Sequence, residues 1–116
     1  MSVDKKTIGI AKVNLAALAS LVEGGNFASE LDAARFAMAY AVRAGLPPGT
    51  SEGADTKWNV GSVDPDGTLR SLIEALCPGA SEPYRLVEFF MNEGIKMLES
   101  RRAAGRDVYD ELFAAG

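Results

Sequence analysis

Lys5-Lys6-Thr7-Ile8-Gly9 is answered by Lys57-Trp58-Asn59-Val60-Gly61, 52 positions further along the chain. Three more pairs keep the same order. Ser20-Leu21-Val22-Glu23 returns as Ser71-Leu72-Ile73-Glu74, Ala28-Ser29-Glu30 as Ala80-Ser81-Glu82, and Phe36-Ala37-Met38 as Phe89-Phe90-Met91. One short match in a chain rich in Leu and Ala means little. Four in order, at offsets of 51 to 53 positions, read as an internal duplication. The copies span residues 5–45 and 57–100 of one domain covering 1–116, with a linker at 46–56 and a tail at 101–116. The linker, LPPGTSEGADT, carries two prolines and two glycines among small polar residues.

Each copy reads as one strand followed by two helices. In the first, Ile8 and Ile10 alternate with Thr7, Gly9 and Ala11 over a segment too short for a helix, the pattern of a half-buried strand. Asn14 is placed to cap a helix bearing Leu15, Leu18, Leu21 and Val22, which Gly24-Gly25 ends. Ser29, with Asp32 three residues on, caps a second helix over 31–44 whose stripe is Ala33, Phe36, Ala37, Tyr40 and Ala41. In the second copy Trp58 and Val60 alternate with Asn59 and Gly61 in a strand expected over 57–63. Asp64-Pro65-Asp66-Gly67 then turns the chain into a helix bearing Leu69, Leu72, Ile73 and Leu76. Ser81 caps the last helix, along which Leu86, Val87, Phe90, Met91, Gly94, Ile95 and Leu98 form the apolar stripe.

Composition limits the chemistry. The chain has 116 residues, 47% hydrophobic and 24% charged, the make-up of one ordinary soluble domain. No apolar run approaches the roughly 18 residues of a membrane span, and Ser2 to Lys6 show no signal core, so the expectation is a cytoplasmic protein off the membrane. With no His and only Cys77, the usual zinc sets, a bridge within the chain and His-based nucleophilic catalysis cannot be assembled. No enzyme activity, metal or cofactor is expected. Asp64-Pro65-Asp66-Gly67 fails as a calcium loop, because Ile73 stands where a bidentate Glu is required. Cys77 reads as a small buried apolar residue at a helix end, not a nucleophile.

Strand, helix, turn, helix in about forty residues resembles the ribbon-helix-helix family of small DNA-binding regulators. The resemblance covers residues 5 to 100. It implies a mostly α fold with a short two-stranded antiparallel ribbon, in which two β-α-α repeats of one chain form a pseudo-dimer. It also implies double-stranded DNA as partner, with base contacts from Lys5, Thr7, Lys57 and Asn59 on the outer ribbon face and phosphate contacts at the helix starts near Ser29 and Ser81.

The residues leave a second reading open. Sixteen acidic side chains against twelve basic give a net charge of −4, the wrong sign for a surface that attracts phosphate. Glu30, Asp32 and Glu82 crowd the two helix starts, and Gly9, Ala11, Gly61 and Val63 have little with which to read a base. A protein-interaction or assembly module on the same scaffold, binding no nucleic acid, accounts for these residues. A homodimer is expected too, because Phe89-Phe90-Met91 needs cover on more than one side; Val108, Tyr109, Leu112 and Phe113 in the tail fall at helical spacing, suited to docking on the core of this chain or to reaching a neighbouring subunit.

Overall fold

A computed structural model describes residues 4–50 and 54–103. Strand β1 (Thr7–Ala11) runs into a single 3-10 turn (Lys12–Asn14), then helices α1 (Leu15–Glu23) and α2 (Glu30–Arg43). Strand β2 (Ala54–Asn59) runs into a one-turn helix α3 (Val60–Val63), then α4 (Thr68–Leu76) and α5 (Pro83–Ala103). The described chain is therefore mostly helical, with one two-stranded antiparallel sheet and five α-helices.

The strands pair with Thr7 opposite Asn59, Ile8 opposite Trp58, Gly9 opposite Thr56, Ile10 opposite Asp55 and Ala11 opposite Ala54. The register jumps between Ile8 and Gly9, so Lys57 is the extra residue of a β-bulge. Alternation turns Ile8 and Ile10 inward, both fully buried, and puts Thr7, Gly9 and Ala11 on the outer face. The bulge pulls the strands so close that a β-carbon on Gly9 would stand 2.7 Å from the Asp55 carbonyl oxygen. Only glycine fits there.

The second strand departs from expectation. It covers 54–59 instead of 57–63, taking in the end of the segment read as linker, and Val60 to Val63 close into a helical turn. Trp58, Val60 and the residues between them satisfy a period of two. Val60 and Val63 satisfy a helical i,i+3 spacing equally well, and the turn buries Val63 at 1% exposure. The Val60 N–H still closes the ribbon on the Lys6 carbonyl at 3.0 Å, after which the Asp64 N–H bonds back to Val60 at 2.8 Å.

Beneath the ribbon, α2 and α5 make the most extensive helix pair, α1 packs on both, and α4 packs mainly on α5. Ile8, Ile10, Leu18, Met38, Ile73, Met91, Ile95 and Leu98 are fully enclosed in the core between them. Trp58 faces this core, half-buried. Phe89-Phe90-Met91 finds its cover within the chain: Phe90 and Met91 are buried, and the Phe89 ring packs on Phe90 at 5.4 Å and on Gly49 of the linker. That triplet therefore supplies no reason for a second chain. The tail residues Val108, Tyr109, Leu112 and Phe113 lie outside the described residues.

Two caps follow the sequence and two do not. The Ser29 hydroxyl accepts from the Asp32 N–H at 3.1 Å and opens α2. Asp64 accepts from the Leu69 and Arg70 N–H groups at 2.9 and 3.1 Å and opens α4. Asn14 already has helical dihedrals, φ −98° and ψ −7°, and makes no cap; its side chain turns inward to Asn92. The first turn of α5 is held by Asp4, not Ser81: the Tyr84 and Arg85 N–H groups donate to its carboxylate at 2.9 and 3.2 Å.

Candidate functional site

The ribbon and the helix starts around it are where the sequence gathers its candidate residues. Thr7, Thr56 and Asn59 stand on the outer face, with the two threonine hydroxyls 3.5 Å apart and Asn59 exposed. Gly9, Ala11 and Ala54 fill the remaining outer positions. Gly9 and Ala11 are buried, so the accessible part of that face is Thr56 and Asn59 with the half-buried Thr7 and Ala54.

The two lysines expected there are already engaged. The Lys5 ammonium lies 3.1 Å from Glu88, a side chain only 4% exposed, and Lys57, set in the bulge, lies 2.9 Å from Glu30 at the start of α2. Lys57 also stands 5.5 Å from the Trp58 ring centroid, a separation at which an ammonium is attracted to the ring face. Each cation is thus drawn toward a helix beneath the ribbon. Glu88 is the deeper partner, because the same Oε2 accepts from the Gly9 N–H at 2.7 Å.

The N–H donors at the helix starts are occupied in the same way. Ser29 and Asp4 hold those of α2 and α5 as described, with Glu30 and Glu82 close by in sequence and Ser81 exposed at the approach to α5. At α4, Asp64 also accepts from the Tyr84 hydroxyl at 2.9 Å. Burial of the phenol, reinforced by that bond to a carboxylate, pushes the Tyr84 pKa up to about 12. Asp66, bonded to Thr68 through side chain and main chain, is held below the ordinary carboxylate range. Where an incoming phosphate would find free donors, this chain supplies its own carboxylates at α4 and α5 and a neutral hydroxyl at α2.

Asn92 and Glu88, which organise the ribbon, are not among the residues that the sequence pattern singles out. Asn92 accepts from the Ala11 N–H at 2.7 Å and donates to the Gly9 carbonyl at 3.0 Å. It also donates to the Glu88 carbonyl and accepts from Asn14, so every hydrogen-bonding site of the carboxamide is used. Asn92 and Glu88 together serve the outer edge of β1 as a third strand would. A clue lay in their spacing: Glu88 and Asn92 are four residues apart, one polar pair beside a stripe of large apolar residues.

A cleft of about 350 Å³ lies between Arg35 and the 63–69 loop. Its polar groups are spent internally, since Arg35 donates to the Ser62 and Val63 carbonyls and to Asp32, and both Asp64 oxygens are bonded. Cys77, expected to be buried, is half-exposed instead, because it stands just past the last turn of α4. Among the described residues no group of three or more acidic or Cys side chains is placed to hold a metal ion, and no helix is long and apolar enough to cross a membrane. Compared with protein-family models, with curated proteins and with solved structures, the chain shows no match.

Proposed function

We propose that this chain is a small, non-catalytic protein-interaction module, built from two strand-helix-helix units that complete one another, and that its ribbon does not read nucleic acid. The observation that carries this reading is the pairing of Lys5 and Lys57 with Glu88 and Glu30. Binding a phosphate backbone would require those cations to exchange a fixed carboxylate for a diffusing one, on a molecule of net charge −4, with little electrostatic gain. The twin-unit reading draws support from the element order, strand, one-turn helix, helix, helix, which occurs twice. From Leu15 to Thr68 and from Glu30 to Pro83 is 53 residues in each case, while from Thr7 to Ala54 is 47. The strand and helix offsets differ by six residues: the Asp64–Gly67 turn, which has no counterpart in the first unit, adds four, and the longer strand and the longer first turn of the second unit add one each.

A DNA-reading alternative rests on the exposed polar cluster of Thr7, Thr56 and Asn59, groups able to bond base edges. A mobility-shift titration with mixed-sequence duplex DNA in low salt separates the two. The proposal expects no retarded species. A shift abolished by Lys57→Ala with Asn59→Ala would replace it with the DNA reading.

A further inference from the structure

We infer that the free edge of β2 takes an extended segment of another protein as a third strand of the ribbon, with a basic side chain set opposite Asp55, an inference that rests on the interaction-module reading and gives it a class of partner. The sheet has two edges, and α5 closes only one of them. The Gly9 N–H donates to Glu88, its C=O accepts from Asn92, and the Ala11 N–H donates to Asn92, so these groups point away from β2. Gly9 with Thr56, and Ala11 with Ala54, are therefore non-hydrogen-bonded pairs, in which both members turn their main-chain groups outward. The N–H and C=O groups of Ala54 and Thr56 thus face the open side of β2.

No side chain among the described residues serves that side. Counted 53 residues back along the helix spacing, the counterparts of Glu88 and Asn92 are Arg35 and Ala39. Arg35 is turned to the Ser62 and Val63 carbonyls, and the Ala39 side chain has no hydrogen-bonding group. Nor does α2 pack against β2 as α5 packs against β1. An occupant must alternate donors and acceptors at strand spacing, as an extended main chain does. Between the two outward-facing residues, Asp55 is exposed and has no cation partner among the described residues. The docked residue opposite it shares its face of the sheet, with β-carbons about 5 Å apart, so a Lys or Arg there gains an ion pair. The same carboxylate disfavours a second copy, because bonding Ala54 to Thr56 of another molecule sets Asp55 against Asp55. Residues 104–116, with three acids against one Arg, are mismatched too. The Lys57 bulge ends the straight edge at Thr56, so the docked strand is short and its affinity modest.

Titrating the peptide acetyl-Thr-Val-Thr-Lys-Thr-Val-Thr-amide to about 2 mM into the isotope-labelled full chain, read by nuclear magnetic resonance, tests the edge. The expected result is saturable binding that shifts the Ala54 and Thr56 amides and slows their exchange at least about tenfold, with those of Gly9 and Ala11 unchanged. Glu in place of the peptide's Lys weakens binding at least about threefold, and Asp55→Lys reverses that preference. Methylating the main-chain nitrogens of the two Thr residues beside the peptide's Lys abolishes binding. Thr56→Pro, which removes only an outward N–H, does the same in a chain that circular dichroism shows to be folded. No binding, equal affinity for the Lys and Glu peptides, or binding that survives methylation each overturns the inference. So does a protected Thr56 amide in a dimer of the chain alone, which would put a second copy on the edge. These outcomes leave the interaction-module reading standing, with a different face or partner; a DNA shift would remove that reading independently.

Discussion

Gly94 on α5 lies directly against the main-chain carbonyl of Ala37 on α2, with no room for a β-carbon between them. The two helices that form the floor under the ribbon cross at this point. An Ala at a mid-helix Gly ordinarily gains up to about 1 kcal/mol from propensity. Here it must push the backbones apart and loosen the packing of Met91 and Ile95, so Gly94→Ala is expected to destabilise by about 2 kcal/mol or more. Urea denaturation measures it; a stabilised variant would contradict the crossing.

Asn92 holds the edge of β1 through two main-chain bonds. Asn92→Leu keeps the branched shape and strands the Ala11 N–H and the Gly9 carbonyl in the interior, at about 1–3 kcal/mol for each unsatisfied group, while the Asn14 amide keeps its bond to the main-chain carbonyl of residue 92. The expected loss is therefore about 2 kcal/mol or more, with faster amide exchange at Ala11 than at Ile10, which faces β2. Equal exchange at both positions would show that the edge does not depend on Asn92.

Glu88 separates a hydrogen bond from a charge. Glu88→Gln retains an acceptor for the Gly9 N–H and loses the attraction to Lys5, whereas Glu88→Ala loses both. The amide variant is expected to cost about 1 kcal/mol and the Ala variant about 3 kcal/mol, measured by denaturant unfolding. Equal costs would mean that the Lys5 ion pair, not the Gly9 bond, is what Glu88 contributes.

These three residues mark how far the chain can be understood before folding. The apolar stripes, the Ser29 cap and the Asp64–Gly67 turn follow from local spacing, because each depends on neighbours within a few positions; the pairing of the two short strands joins residues about forty to fifty positions apart and is expected from the resemblance, not from local spacing. Asn92 and Glu88 act on Gly9 and Ala11 from about eighty residues away, and Asp4 reaches α5 across a similar distance; no local pattern encodes such partners. The same holds at the candidate site. Lys5, just before β1, and Lys57, in β2, were legible as basic residues of the ribbon, but their availability depended on Glu88 and Glu30, which only the tertiary packing brings beside them. The span of β2 was missed for a different reason: four residues fit either period.

Tyr84 gives the fold a signature at high pH. Its pKa, about 12 against an ordinary 10, means that the native state holds the phenolic proton more tightly than the unfolded chain. The associated stability is complete below about pH 10 and is lost as the pH rises toward 12. Tyrosinate absorbance should show Tyr84 ionising above the ordinary tyrosine range, and Tyr84→Phe should remove that step and flatten the alkaline fall in stability. A Tyr84 that titrates at the ordinary value would break the link to Asp64.

Trp58 is the one Trp in the chain; it faces the core, half-buried, with the Lys57 ammonium 5.5 Å from its ring, so its fluorescence reports on any ligand that draws Lys57 away from Glu30. Titrating duplex DNA into the protein in low salt is the decisive measurement. The account predicts an unchanged emission spectrum, because the ribbon cations are satisfied from within. Saturable quenching that weakens steeply as salt is raised would contradict it.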